Sequence, residues 1–333
     1  MNIIIPMAGM GKRMRPHTLT TPKPLIPIAG KPIVHRLVED IVKVCDSAIG
    51  EIGFIIGRHF GKEVEATLLK IAEEVGGQGR IFYQDEALGT AHAILCAQSL
   101  LEGNVVVAFA DTLFKADFKL DASKDGIIWV QQVDDPSAFG VIKIEGDVIT
   151  DFVEKPEEFI SDLAIIGIYY FKNGAFLKSE LQYLLDNDIK DKGEFQLTNA
   201  LENMKNKGTN FVPGQVSEWL DCGNKNATVY TNKRYLEFIK DENLVHSTVV
   251  NKNSVIIPPV YAGENVVLEN CVIGPHVSIG DNTTIKSSII QNSIIQTNSE
   301  LNNANLKNSM IGNFVTLEGS SDDMSVGDFN SIV

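Results

Sequence analysis

The feature that most restricts the fold is a six-residue recurrence near the C-terminus. Tyr261, Val267, Ile273, Ile279 and Ile285 follow one another at that interval, with Gly274 and Gly280 directly behind two of them. A helix would repeat its apolar face every three or four residues, and a strand every two. One apolar side chain in six, with small or polar residues between, matches the hexapeptide repeat of a left-handed parallel β-helix. About three hexapeptides make one three-sided coil, and the inward aliphatics of successive coils stack. The interval loosens through Ile289, Ile294, Leu301, Leu306 and Ile311, but Asn, Ser and Gly still separate the aliphatics. Asparagine is abundant in this stretch, yet the recurring aliphatics argue against disorder.

Upstream the texture differs. Short apolar runs at 2–6, 52–56, 80–84 and 104–110 alternate with segments of helical periodicity at 31–45, 61–74 and 90–101. Strand and helix in alternation predict a mostly parallel sheet covered on both sides. Beyond Asp111 the runs at 126–133, 140–145, 148–154 and 165–171 read as consecutive strands that extend this sheet. Amphipathic segments at 175–185 and 195–205 precede a strand at 210–213, and a helix at 226–240 leads out of the domain. A chain of 333 residues exceeds the usual size of one core. Two domains are therefore expected, an α/β domain over 1–240 and the β-helix over 246–333.

Charge narrows the ligand classes. The formal net charge of −14 excludes a broad nucleic-acid surface, which needs an extended basic face. Its distribution is uneven, since residues 1–38 contain no Asp or Glu but carry Lys12, Arg13, Arg15, Lys23, Lys31 and Arg36. A basic pocket on an acidic protein suits a small phosphate-bearing ligand. No apolar run approaches the length of a membrane span, and the N-terminus reads as a buried strand rather than a signal peptide. The four cysteines lie far apart without metal-ligand spacing, as expected of reduced thiols in a cytoplasmic protein.

The block from Met7 to Ile33 follows the first strand directly. Gly9 and Gly11 let the backbone approach a phosphate or a base edge, and successive amide N–H groups in such a turn make an anion-binding concavity. Arg13 can grip phosphate oxygens with two donors, and Lys23 can place a point charge on the same triphosphate. Prolines 16, 22, 24 and 27 stiffen the segment that carries Lys23. A Rossmann fingerprint fails because position 14 is Met. A Walker loop fails because Gly11-Lys12 is followed by Arg13.

This block resembles the signature of the sugar-1-phosphate nucleotidylyltransferases, a family that includes glucose-1-phosphate thymidylyltransferases. The family pattern is Gly-x-Gly-Thr-Arg-x-x-Pro-x-Thr followed by Lys-Pro-x-x-Pro. Here Ala8 stands where a first Gly is usual and Lys12 where Thr is usual, while Arg13 and Lys23 are retained. The resemblance runs through the first 240 residues, and the longer members carry the β-helix. It implies a Rossmann-like mixed-sheet catalytic domain that joins a nucleoside triphosphate to a sugar-1-phosphate. It assigns Arg13 and Lys23 to catalysis and Ala8, Gly9, Gly11, Gln84, Gly89 and Thr90 to the nucleotide. Gln84, at a strand end, would read a pyrimidine, because an amide offers both a donor and an acceptor. Asp111, after the strand that ends in Ala108-Phe-Ala, and Asp221, within Trp219-Leu-Asp-Cys-Gly, would hold Mg²⁺. Gly140, Glu154, Lys155, Gly167 and Glu194 fall on the sugar-phosphate side, where Asp162 replaces an Asn common in the family. His92 is expected to be structural.

The substrate expected from this resemblance is dTTP or UTP with glucose-1-phosphate. The Leu-Gly-Thr-Ala stretch at 88–91 is also similar to mannose-1-phosphate guanylyltransferases, which keeps GTP open. A bifunctional enzyme with an acyl-transferring β-helix would need more coils and a catalytic His, and only His246 and His276 are available. A non-catalytic regulatory subunit is disfavoured by the intact Arg13, Lys23, Asp111 and Asp221. The tail is expected to serve assembly of a homo-oligomer.

Overall fold

The computed structural model describes residues 1–115 and 118–332, without the side chains of residues 320–322. The chain forms two compact units, one made of Met1–Gly9 with Leu37–Trp219 and the other of Met10–Arg36 with Leu220–Val333. Among the described residues, no helix is long and apolar enough to cross a membrane.

In the first unit, four strands run parallel: β1 (Asn2–Pro6), β2 (Glu51–Ile56), β3 (Gln78–Tyr83) and β4 (Val105–Ala108), in the spatial order β3-β2-β1-β4. Ile3, Ile4 and Ile5 are all fully buried, as are Phe54, Ile55 and Ile56. Successive strand residues face opposite sides, so both faces of this sheet are covered, and the strands read as unbroken aliphatic runs for that reason. The helices α1 (Ile33–Val44), α2 (Lys62–Glu74) and α3 (Thr90–Leu95) lie between these strands in sequence. The helix expected over 90–101 ends at Leu95 and resumes as a tighter turn at Gln98–Leu100. Leu100 and Leu101 are both fully buried. Leu101 lies just past that turn, where the backbone leaves the helical conformation at φ −80° and ψ 64°, so it turns into the core beside Leu100.

The short strand β5 (Thr112–Lys115) comes next, and the sheet then continues through β6 (Gly126–Gln132), β7 (Gly140–Glu145), β8 (Val148–Glu154) and β9 (Leu163–Phe171). Strand β9 runs antiparallel to β4 on one side and to β6 on the other, and also meets β7 at Ala164 and Val141. Serving three neighbours requires a break in register. It falls between Ile165 and Tyr169, around Gly167 at φ 83°. The helices α4 (Gly174–Asp186) and α5 (Leu197–Asn206) follow, and β10 (Phe211–Gln215) adds in parallel to β6. The mixed sheet expected from the sequence is therefore present, with its strands within a few residues of their expected bounds.

The second unit contains the β-helix. Its strands form three parallel faces, as expected of a left-handed β-helix. Along the first face Val250 pairs with Val267, Val267 with Thr284, Thr284 with Glu300 and Glu300 with Thr316. Each coil thus takes 17 residues at first and 16 later, so the six-residue spacing drifts and then loosens. This drift moves Tyr261 and Val267 out of the interior, where Val260, Ala262, Val266 and Leu268 stand instead. Ile273, Ile279 and Ile285 are fully buried in the β-helix core. The asparagines have a backbone cause. Asn253, Asn265, Asn270, Asn282, Asn298, Asn303 and Asn308 take the left-handed conformation at the corners, which asparagine tolerates better than most residues. Their side chains bond coil to coil, as in Asn253–Asn270 at 2.8 Å and Asn265–Asn282 at 3.0 Å.

The outer side of the third face is covered over its middle coils, where Ser278, Ile294 and Met310 are buried, with Tyr261 half-buried and Ser325 exposed at its ends. Tyr261, Ser278, Ile294, Met310 and Ser325 align in register there. Tyr261 lies against Gly30, Ser278 donates to the buried Asn232 Oδ1 at 2.8 Å, and Ser325 Oγ stands 3.2 Å from His17 Nε2. Ile294 and Met310 are buried between them. The face thereby carries the 10–36 segment and helix α6 (Lys225–Phe238), whose Glu237 bonds His276 at 2.6 Å.

Burial pushes the His17 ring down to about 4, against an opposing pull from Asp328 and with a further push from Lys225. Unfolded, the same ring titrates near 6.5. The unfolded chain therefore takes up a proton that the fold refuses between those values. The His17 contribution is complete above pH 6.5 and is lost as pH falls toward 4, by roughly 3 kcal/mol. Denaturant midpoints measured at pH 7.5 and pH 5 should show this loss, and His17→Gln should flatten it. An equal pH dependence in the variant would refute the assignment.

Candidate active site

In the first unit, the turn after β3 is built by hydrogen bonds to the segment before α5. Gly89 has φ 115°, and a Cβ there would collide with the Phe195 carbonyl. Phe195 N–H donates to Leu88 at 2.8 Å, and Ala91 N–H donates to Phe195 at 2.9 Å. Thr90 Oγ1 donates to Gln196 Oε1 at 3.1 Å and accepts from Leu197 N–H at 2.9 Å. Gln196 Nε2 in turn reaches Glu194 Oε2 at 3.1 Å. Gln84, Gly89, Thr90 and Glu194 are thus brought into one cluster.

Gln84 is oriented inside that cluster. Its Nε2 donates to the Gly89 carbonyl at 3.2 Å and lies 3.2 Å from His92 Nδ1. With both amide protons directed at protein acceptors, Oε1 is the atom placed to accept from a ligand. His92, the third residue of α3, thereby helps fix the orientation of the Gln84 amide.

A second chain of contacts gathers the residues on the opposite strands. Gly140 stands opposite Glu154 across β7 and β8, and a Cβ on it would press on the Glu154 carboxylate at 3.2 Å. Thr198 Oγ1 donates to Glu154 Oε2 at 3.2 Å, while Lys155 Nζ lies 3.4 Å from Glu154 Oε1. Glu154 is 13% exposed and Lys155 47%, so the carboxylate is held and the ammonium is able to turn toward a ligand. Lys155 itself has φ 40°, fixed by its N–H bond to the Phe139 carbonyl and by Lys192 on its own carbonyl. Asp111 belongs to the same neighbourhood, because its charge and that of Glu154 both act on Tyr169. Burial first, and then these two carboxylates, hold the Tyr169 hydroxyl far above its ordinary range. The Gly167 carbonyl accepts from Phe109 N–H at 2.9 Å, anchoring the strand beside Asp111.

In the second unit, the signature segment folds into three tight turns, Lys12–Met14, His17–Leu19 and Lys23–Leu25. Gly11 has φ 58°, and a Cβ there would stand 2.9 Å from Lys23 Cβ. Thr18 Oγ1 donates to the Gly11 carbonyl at 2.8 Å and closes the fold of the loop. Lys23 is buried at 8% exposure against Gly11, whereas Arg13 is exposed. Asp221 Oδ1 accepts the Gly223 N–H at 2.9 Å, and any Cβ on Gly223 would press on that carboxylate.

Gly9 and Ala8 lie in the first unit at the exit of β1, and a Cβ on Gly9 would meet nothing within 4 Å. Gln196 and Thr198, which the sequence does not single out, are polar and buried at 5% exposure each.

A family model described as nucleotidyl transferase matches residues 2–237. The chain is 32% identical over 264 residues to the bifunctional protein GlmU of Methanococcus maripaludis, covering 77% of this chain and 60% of that protein. The chain therefore spans about 60% of the length of these GlmU relatives. It is 32% identical over 190 residues to the mannose-1-phosphate guanylyltransferase catalytic subunit beta of Drosophila pseudoobscura, covering 54% of this chain and 50% of that one. Among solved structures, a Bacillus anthracis protein described as a glucose-1-phosphate thymidylyltransferase, in complex with sucrose, superposes at a TM-score of 0.59. That likeness carries 26% identity and covers 73% of this chain and 96% of the other. Because the matched stretch begins in β1, takes in the Arg13 and Lys23 segment and ends in α6, the chain belongs to the nucleotidyl transferase family.

Proposed function

We propose that this protein is a sugar-1-phosphate nucleotidylyltransferase that uses dTTP or UTP, with glucose-1-phosphate as its sugar. The observation that carries this reading is Lys23, a cation buried against the left-handed Gly11 inside the segment that the family resemblance assigns to the triphosphate. In the reaction, an anionic oxygen of the sugar phosphate attacks the α-phosphorus of the triphosphate. The P–O bond to the β-phosphate breaks and pyrophosphate leaves, so no proton need be removed. The work of the protein is positioning and charge neutralisation.

Arg13 and Lys23 neutralise the triphosphate and the departing pyrophosphate. Amide groups around Ala8, Gly9 and Gly11 approach the nucleotide, while Gln84 Oε1 accepts from the base beside Gly89 and Thr90. An acceptor at that point suits the imide N–H of a pyrimidine. Glu154, held by Thr198, accepts from sugar hydroxyls together with Glu194, and Lys155 pairs with the sugar phosphate. Gly140 and Gly167 leave room beneath the ring. By the same resemblance Asp111 and Asp221 would hold Mg²⁺, an oxygen-preferring ion that takes one or two carboxylates and substrate phosphates. Among the described residues, no cluster of three His, Cys, Asp or Glu side chains forms a complete protein cage. When bound, the ion supplies further neutralisation of phosphate charge.

On this reading, residues 1–240 are the nucleotidyltransferase domain and 246–333 the β-helix, in a cytoplasmic enzyme. The likeness to the guanylyltransferase subunit favours a second reading, GTP with mannose-1-phosphate. We also propose that the β-helix mediates homo-oligomer assembly. Val255, Val272 and Ile289 stack in register along one outer face at 58%, 36% and 54% exposure, an apolar ladder suited to a second copy.

Pyrophosphate release with Mg²⁺ should be seen with dTTP or UTP and glucose-1-phosphate. A preference for GTP with mannose-1-phosphate would select the second reading, and silence with dTTP, UTP, GTP, ATP and CTP alike would sink both. Lys23→Ala keeps the Cβ that packs on Gly11, so it should fold and lose kcat by about 10²-fold or more. Wild-type turnover in it would remove Lys23 from the mechanism. Ile289→Lys should lower the sedimentation mass with unchanged β-helix circular dichroism, and an unchanged mass would exclude this face as the interface.

A further inference from the structure

The last turn of the β-helix holds a carboxylate that the proposed reaction does not use. Asp328 lies between Gly327 and Phe329 in the final coil. Its Oδ1 accepts from the backbone N–H of Asn313 at 2.7 Å and from Asn313 Nδ2 at 3.2 Å, tying it to the preceding coil. Its Oδ2 accepts from Thr20 Oγ1 at 2.5 Å and from Thr21 Oγ1 at 3.5 Å. One carboxylate therefore joins the end of the solenoid to the segment that runs into Lys23.

The turn around Asp328 is stiffened from both sides. Phe314 and Phe329 occupy, in the last two coils, the left-handed corner position that Asn265, Asn282 and Asn298 occupy in earlier ones, at φ 54° and 59°. A bulky side chain is disfavoured in that conformation. Here the two rings stack at 4.9 Å and 3°, locking the final coil onto the one before. On the inner side, Gly327 packs against Pro16, where a Cβ would come within 2.9 Å of the ring. From Thr20 the order passes inward within the same loop. Thr18 bonds the Gly11 carbonyl, and Gly11 abuts Lys23.

We propose that Asp328 is a positioning residue for the triphosphate-binding loop, acting through Thr20 and Thr21, so that the end of the β-helix sets the geometry of Lys23 and Arg13. The inference rests on the nucleotidyltransferase reading for its kinetic consequence but not for its structural one. A charged hydrogen bond of this kind ordinarily shifts a local equilibrium by roughly 10-fold or more.

The test uses the full chain with Asp328→Ala, Asp328→Asn and Thr20→Val. Hydrogen exchange is followed at the amides of Met14, Arg15 and Leu19, which bond Gly11, Lys12 and Pro16. In Asp328→Ala these amides should exchange about 10-fold faster or more while the amides of 250–311 keep their protection. The KM for the triphosphate should rise by a similar factor, with the KM for the sugar phosphate unchanged. Asp328→Asn, which keeps acceptor oxygen, should recover part of the loss. Thr20→Val should reproduce it, and the double variant should add nothing further.

Unchanged exchange and KM in Asp328→Ala, with an active wild type, would overturn the inference and leave the reaction standing. Loss of protection across the whole β-helix would also overturn it, by making Asp328 merely structural. If the wild type shows no turnover, the functional reading fails instead, and exchange in the loop alone decides the inference. Should Asp328→Ala not fold, Thr20→Val breaks the same contact from the other partner: faster loop exchange supports the inference, and unchanged exchange overturns it.

Discussion

The rest of the second unit depends on one packing surface, the outer side of the third face of the β-helix. A solenoid normally turns such a face to water. Here Tyr261, Ser278, Ile294, Met310 and Ser325 form a ladder that is buried or bonded along its length. Gly30 lies under Tyr261, Asn232 accepts from Ser278 and from the Ala29 N–H at 2.9 Å, and His17 meets Ser325. The stretch between residues 10 and 36 has no regular structure long enough to hold itself. A rigid parallel stack supplies fixed partners at close to 5 Å intervals, which a loop of short turns cannot generate alone. This is why the signature segment falls into the same compact unit as the tail rather than with the strand it follows.

In the first unit the ordering principle is different. Gln84, Thr90, Glu154 and Glu194 are scattered in sequence, and all are polar groups that would fray if left alone at strand and loop ends. Three of them are tied directly to the entry of α5: Thr90 through Gln196 and Leu197, Glu194 through Gln196, and Glu154 through Thr198. Gln84 joins them through Gly89, whose turn is pinned to Phe195 by its neighbours Leu88 and Ala91. Gln196 and Thr198 are the buried members of this set, and breaking either one's bonds would leave a desolvated polar group, so they hold the partly exposed side chains around them in place. The entry of α5 thus ties together the turn that carries Gln84 and the strand end that carries Glu154.

Much of this was legible in the residues. Unbroken aliphatic runs such as Ile3-Ile4-Ile5 announce strands buried on both faces, and the recurrence through Ile273, Ile279 and Ile285 announces a stacked solenoid. What was not legible has a common cause. The inward phase at Tyr261 and Val267 shifted because a coil of 17 residues leaves no whole number of hexapeptides. His92 and Thr198 had no motif of their own, since their roles come from which atoms face Gln84 and Glu154 after folding. The asparagines looked like mere polarity until their left-handed corners gave them a backbone reason.

By itself, then, the sequence determined the strands, the solenoid, the family and the identity of the charged groups, because periodicity and motif spacing are local properties carried by neighbouring residues. Only the tertiary structure decided that Asp328 answers Thr20, 308 positions away, and that the final coil carries the loop of Lys23. Pairings at that separation depend on coil count and register. These accumulate over the whole solenoid and are written in no single stretch of it.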